Sequence, residues 1–119
     1  TNLSFSYLGT TSFYNFLTRE FDPINAPKYK INGTLTYMPE LGLNWNFGMR
    51  IIPEFEWASG VHYGKINAYN VFDAALGYNF NKSYGILLNI NNLTNNLHNE
   101  IIGGPDLGRH LTLKLTARF

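Results

Sequence analysis

Residues 111–119 alternate without a break. Leu111, Leu113, Leu115, Ala117 and Phe119 take one set of positions; Thr112, Lys114, Thr116 and Arg118 take the other. Successive side chains of a β-strand point to opposite faces, so a period of two over this length predicts an amphipathic strand. Such a strand needs something apolar against one face, which an antiparallel sheet finds in a soluble core or in lipid. The sequence ends on this strand, with an aromatic residue in register with its own apolar face. Most domains end instead in a frayed polar tail.

The same period recurs upstream. Leu3, Phe5 and Tyr7 alternate with Ser4 and Ser6. Tyr29, Ile31, Gly33, Leu35 and Tyr37 oppose Lys28, Lys30, Asn32, Thr34 and Thr36. A longer run sets Leu43, Trp45, Phe47, Met49 and Ile51 against Asn44, Asn46, Gly48 and Arg50, and its phase continues through Pro53, Phe55 and Trp57. Pro53 cannot donate to a ladder, so a bulge or an edge is expected there. Phe72, Ala74, Leu76, Tyr78 and Phe80 follow, then Tyr84, Ile86, Leu88 and Ile90. Six strands result, with no helical period. The segments between them alternate in length: 9–27 long, 38–42 short, 58–68 long, 81–83 short, 95–107 long. The long ones read as irregular loops. Short turns at one end and long loops at the other are the pattern of an up-and-down outer-membrane β-barrel, short turns toward the periplasm.

Composition narrows the partners. Charged residues make up 14% of the chain and aromatics 16%, against about 25% charged in an ordinary soluble domain. A net charge of +1 gives no reason to expect nucleic acid. With no cysteine there is neither a disulfide framework nor a thiolate metal site. No apolar run approaches the roughly 18 residues of a membrane helix, but membrane strands of about 9–11 residues need none.

Aromatic residues sort by position along the strands. Tyr37, Trp45, Tyr78, Phe80, Tyr84 and Phe119 lie next to the short turns on the apolar faces. Tyr29, Phe55, Trp57 and Tyr69 lie toward the long loops. Two rows separated by Ile, Leu, Ala, Gly and Met match the two interfacial girdles of a membrane barrel. Tyr37, Trp45, Trp57, Tyr78, Phe80 and Tyr84 are therefore the expected lipid-interface aromatics. About eight strands is the smallest membrane barrel, so six imply further strands upstream or a second chain.

With these residues in view, the sequence resembles the C-terminal end of TonB-dependent outer-membrane receptors, in the branch that includes SusC-like and carboxypeptidase-regulatory-like transporters. The resemblance runs over residues 25–119. It rests on Asn25-Ala26-Pro27-Lys28-Tyr29-Lys30, on Tyr69-Asn70-Val71-Phe72-Asp73 with Gly77-Tyr78-Asn79-Phe80, and on Leu88-Asn89-Ile90-Asn91-Asn92-Leu93-Thr94-Asn95. Gly104-Pro105, Gly108-Arg109 and the closing Leu115-Thr116-Ala117-Arg118-Phe119 complete it. It implies an all-β antiparallel meander forming about the last six strands of a barrel of about 22 strands closed around a plug. It also implies nutrient uptake (an iron chelate, haem, cobalamin, glycan or peptide) driven by TonB. Residues 1–119 contain no plug segment, so coupling would belong to a longer polypeptide. The implied surroundings are the Gram-negative outer membrane and the barrel-assembly machinery, with room for a surface lipoprotein or a larger complex. No cofactor is implied. The competing reading is a structural or binding barrel subunit of an outer-membrane complex, or a soluble lipocalin-like binding protein.

Individual residues carry weaker expectations. Phe119, with Leu115 and Leu113, is expected to act as an assembly signal. Arg50, Glu54 and Glu56 share the polar side of one strand, as a hydrated lumen wall or a substrate contact. Carboxylates at that spacing lack the partner that acid–base catalysis needs, so no enzyme is expected. Phe13, Tyr14 and Phe16 could stack on a sugar or an aromatic chelate, or extend a girdle. His62, His98 and His110 show no metal-ligand spacing and read as solvated. Gly103-Gly104-Pro105-Asp106 lacks the Lys and the helix of a phosphate loop. Asp73 is expected to cap or pair structurally.

Overall fold

The computed structural model describes residues 1–59 and 61–118. All ten elements are strands: β1 (Asn2–Tyr7), β2 (Ser12–Asn15), β3 (Glu20–Pro23), β4 (Tyr29–Tyr37), β5 (Gly42–Ile52), β6 (Phe55–Ser59), β7 (His62–Ile66), β8 (Tyr69–Asn79), β9 (Tyr84–Asn91) and β10 (His110–Ala117). Six of them form one sheet in the order β1-β4-β5-β8-β9-β10, and every pairing in it is antiparallel. Sequential strands are therefore neighbours throughout the sheet, with β2–β3 and β6–β7 as two separate hairpins. The expected six-stranded meander is present.

Register explains why the sheet has two chemically distinct faces. Leu35, Phe47, Ala74, Ile90 and Leu111 stand opposite one another across five strands. The next row along is Thr36, Asn46, Ala75, Asn89 and Thr112. Because directly opposed residues share a face, one row is wholly apolar and its neighbour polar apart from one small alanine. A slip of one residue in any pairing would put apolar side chains on the polar face, so the pattern specifies the register.

The turns obey the same economy. Gly42 takes φ +87° as the chain leaves residues 38–41 for β5, a left-handed conformation that suits glycine. Asn81 closes the 81–83 turn by accepting hydrogen bonds from the amides of Ser83 and Tyr84, each at 2.8 Å.

Two segments expected as irregular loops are hairpins. Residues 9–27 contain β2 and β3, and the expected 58–68 loop holds the end of β6 and all of β7. The long strand expected to run from Leu43 to Trp57 stops at Ile52. Pro53 has no amide hydrogen for the ladder, and β6 restarts in the other hairpin. Phe55 and Trp57 consequently pack against Ile52, Ile66, Tyr69 and Val71 instead of continuing the apolar face. Trp57 thus leaves the apolar face of the sheet on which its phase placed it. Tyr69 also leaves the expected girdle: it opposes Ile52, on the face away from Phe72, and is buried. The band between the aromatic rows is not purely aliphatic either, because Phe47 and Phe72 stack at 6.2 Å.

Packing leaves the apolar face open. The four buried apolar residues among those described, Ile52, Ile66, Tyr69 and Val71, form one cluster at the long-loop end of the polar face. Leu3, Phe5, Leu76, Leu113 and Leu115 are each more than half exposed. The accessible surface is 8647 Å², where a compact monomer of this mass would show roughly 6,600 Å². The radius of gyration is 19.4 Å, against about 13.5 Å for a globular chain of this length. The molecule is an open wall with edge strands β1 and β10, not a closed barrel.

Candidate functional site

The chemistry-bearing side chains gather on the polar face at its long-loop end. Arg50 on β5 reaches Asp73 on β8 at 4.0 Å and Glu100, beyond β9, at 3.7 Å. Asp73 uses its other oxygen, Oδ1, to accept the backbone N–H of Asn92 at 2.9 Å. It caps the chain as it leaves β9, as expected of it. Asn92 is 3% exposed and satisfies its own side chain locally. Its Nδ2 donates to the Asn96 carbonyl and its Oδ1 accepts the Asn96 amide, both at 2.9 Å. Asn92 and Asn95 adopt φ values of +55° and +54°, a left-handed turn that asparagine tolerates better than most residues. Asn95 then accepts the Arg109 amide at 2.9 Å, tying the end of the segment back to its start.

The segment spanning residues 92–108 therefore has a defined path. His98 and Leu107 bridge within it, with backbone bonds at 2.8 and 3.4 Å. Expected as a solvated loop residue, His98 is instead buried and stacks on Tyr69 with ring centroids 4.2 Å apart. Its Nδ1 lies 2.8 Å from the Asn96 carbonyl, which can only accept, so the proton resides on Nδ1. Its Nε2 has no hydrogen-bond partner among the described residues and faces the Glu100 carboxylate at 3.7 Å. Together Arg50, Asp73, Asn92, His98 and Glu100 border a cavity of about 190 Å³. No group of three or more His, Asp or Glu among the described residues is placed to hold a metal ion.

The residues singled out from sequence do not form one site. Arg50 belongs to this cluster, whereas Glu54 and Glu56 lie beyond the Pro53 break. Glu54 pairs with Lys65 at 2.6 Å, and Glu56 stands opposite Lys65 in the hairpin register. That pair is more than half exposed on both sides, so it contributes about 1 kcal/mol or less. Tyr14 packs edge-on against Phe16 and Phe21 at 5.2 and 5.4 Å, on the β2–β3 hairpin. Phe21 sits opposite Tyr14, and Phe13 opposite Asp22 on the other face. Phe16 and Phe21 remain largely exposed, so this aromatic group stands clear of the polar-face cluster.

Two hairpins are held as one body by Asn25. At φ +58°, its side-chain amide donates to the Ala58 carbonyl and accepts the Ala58 amide, each at 2.7 Å. This places β3 beside β6. Sequence reasoning assigned no role to Asn25, Glu100 or Asn96, because their bonds join positions set side by side by the hairpins and the turn.

At the short-turn end the apolar face carries Tyr37, Trp45, Tyr78, Phe80 and Tyr84, all partly or largely exposed. Tyr37 and Trp45 lie 6.3 Å apart, and Tyr78 and Phe80 5.1 Å apart. Leu113 and Leu115 continue this face on β10. Phe119 lies outside the described residues.

A long antiparallel wall with one lipid-like face and one polar face defines a β-barrel segment. The family described as TonB dependent receptor-like, beta-barrel matches residues 1–93, and the chain belongs to that family. It is a family of outer-membrane transport proteins rather than enzymes. Neither the curated proteins nor the solved structures yielded a match.

Proposed function

We propose that residues 1–119 form part of the barrel wall of an outer-membrane receptor that takes up a nutrient by TonB-driven transport. The observation that carries this reading is the pair of adjacent rows, Leu35 to Leu111 and Thr36 to Thr112, one suited to lipid and the other to a wet lumen. Tyr37, Trp45, Tyr78, Phe80 and Tyr84 then sit at the periplasmic interface, where amphipathic rings are favoured. Arg50, Asp73 and the 92–108 segment line the lumen near its outer mouth. The β2–β3 hairpin, which carries Phe13, Tyr14 and Phe16, projects outward, toward arriving substrate. TonB would act through a plug elsewhere in the polypeptide. The SusC-like branch is supported by the Asn25-to-Lys30 and Leu88-to-Asn95 motifs.

Membrane fractionation of cells expressing the full-length protein, followed by uptake assays with and without TonB, tests this reading. The expected result is outer-membrane residence and uptake lost on removing TonB. Recovery in the soluble fraction without detergent would refute it. Leu113, Leu115 and Phe119 are assigned to recognition by the barrel-assembly machinery, on the pattern of the final strand. Phe119→Ala should lower the yield of folded barrel several-fold; an unchanged yield would remove that assignment.

A further inference from the structure

His98 is buried with one ring nitrogen unused. Its side chain is 6% exposed, and its Nδ1–H is spent on the Asn96 carbonyl at 2.8 Å. Nε2 therefore presents a lone pair, and it faces Glu100 Oε1 at 3.7 Å. A carboxylate oxygen also accepts, so two acceptors confront each other with no proton between them. Few charges surround the pair. Arg50 on β5 reaches the same Oε1 at 3.7 Å, and Asp73 on β8 lies 4.0 Å from that guanidinium. Tyr69 on β8 stacks on the imidazole at 4.2 Å. Lys65 on β7 borders a second cavity that His98 lines, and Glu54 engages it at 2.6 Å. With His98 neutral, the Arg50 cation meets two anions, Asp73 and Glu100; a protonated imidazole balances them.

We propose that His98 is a proton-operated clasp for the 92–108 segment. In mildly acidic medium the proton enters at Nε2, and Glu100 closes onto it to the roughly 2.7–2.9 Å of a charge-assisted hydrogen bond. One carboxylate then holds both the imidazolium and Arg50 of the wall. That fastens the segment against the Ile52–Val71 cluster, on which Ile102 already packs. The Tyr69 ring contributes as well, because a cation is attracted to an aromatic face. Closure takes up a proton, so the closed state gains as pH falls and loses as pH rises, by at most about tenfold per pH unit for one proton. Among the side-chain types in the cluster, only imidazole ordinarily changes charge between about pH 5 and 8; carboxylates do so below, and Tyr, Lys and Arg above. Burial alone acts in the opposite sense, since it disfavours the charged form. An imidazolium without a carboxylate in reach is expelled, and the segment then opens in acid. The uptake reading supplies only the outer mouth, where the segment meets the medium.

Hydrogen exchange of the full-length protein in detergent, corrected for the intrinsic pH dependence of amide exchange, reads the clasp. The reporters are the Asn96 and Leu107 amides, both bonded within the segment. Their protection should be about threefold or more greater at about pH 6 than at pH 8. Glu100→Gln removes the charge that receives the imidazolium and should abolish or reverse that gain. His98→Phe keeps a ring on Tyr69 and should leave protection independent of pH. His62 and His110 remain in all three proteins, so the difference belongs to His98. If His98→Phe does not fold, Glu100→Gln still decides, because Glu100 is 42% exposed and tolerates the change. Protection in the unaltered protein that is flat or lower at the acid pH, or a gain that persists in Glu100→Gln, would overturn the proposal. Uptake plays no part in this measurement, so a failed clasp leaves the uptake reading standing, and absence from the outer membrane refutes that reading without touching the clasp.

Discussion

A single added methyl group separates two glycines of the polar face. At Gly77 a Cβ would collide with Asn44 Oδ1 and approach the Ile86 carbonyl oxygen to 2.9 Å. The side chain could swing away, but the carbonyl belongs to the β8–β9 ladder and cannot. At Gly48 the nearest atom would be Asp73 Cβ at an ordinary 3.6 Å. Gly77→Ala should therefore cost about 1–3 kcal/mol, the usual penalty of overpacking, while Gly48→Ala should be close to neutral. The urea midpoint of the folded barrel band on cold gel electrophoresis compares the two. Asp73 offers a second contrast. Asp73→Ala leaves the amide of nearly buried Asn92 without its acceptor, at about 1–3 kcal/mol. Asp73→Asn keeps an acceptor oxygen and loses only a long, half-exposed pair to Arg50. Hydrogen exchange across residues 92–108 should accelerate strongly in the first variant and little in the second.

At the scale of elements, the six strands of the sheet were legible because their two faces differ and the period of two never slips within them. The hairpins were not. Alternation in them is too short to mark a strand: β3 and β6 alternate over only three or four residues (Glu20 to Pro23, Phe55 to Trp57), and β6 runs in phase with β5, so it read as the continuation of that strand. Pro53 was legible as a disturbance, but not that the chain would leave the sheet there and fold Phe55 and Trp57 onto Ile52 and Val71. The buried cluster was hidden for a related reason. Ile52, Tyr69 and Val71 occupy positions that the period assigns to the polar face, and only the covering hairpin makes them a core. His98 was misjudged because burial of a loop residue depends on where Asn92 and Asn95 turn the chain. Asn25 is where the hairpins can be uncoupled. Asn25→Gly keeps the left-handed conformation and removes both bonds to Ala58, each worth about 0.5–1.5 kcal/mol. Amide exchange at Ala58 should then rise on the order of tenfold, with β8–β9 amides unchanged.

For the whole molecule, the decisive fact is the amount of apolar surface that the fold leaves uncovered. Exposed apolar patches of more than a few hundred Å² are rare on soluble monomers, and here a whole sheet face is apolar. The edges of β1 and β10 add rows of unpaired backbone groups, each costing several kcal/mol in hydrocarbon unless paired. Both features are resolved together when the wall is one arc of a closed barrel in a bilayer. Residues 1–119 contain no cysteine, so single cysteines introduced along β9, with any cysteine elsewhere in the full-length receptor replaced, can carry nitroxide labels after reconstitution in lipid. Labels at 86, 88 and 90 should collide with oxygen, which concentrates in the bilayer, and labels at 85, 87 and 89 with a water-soluble nickel chelate. That two-residue alternation, in that phase, is the expected result. The opposite phase, or uniform accessibility to the nickel chelate at all six positions, would contradict the assignment of the apolar face to lipid.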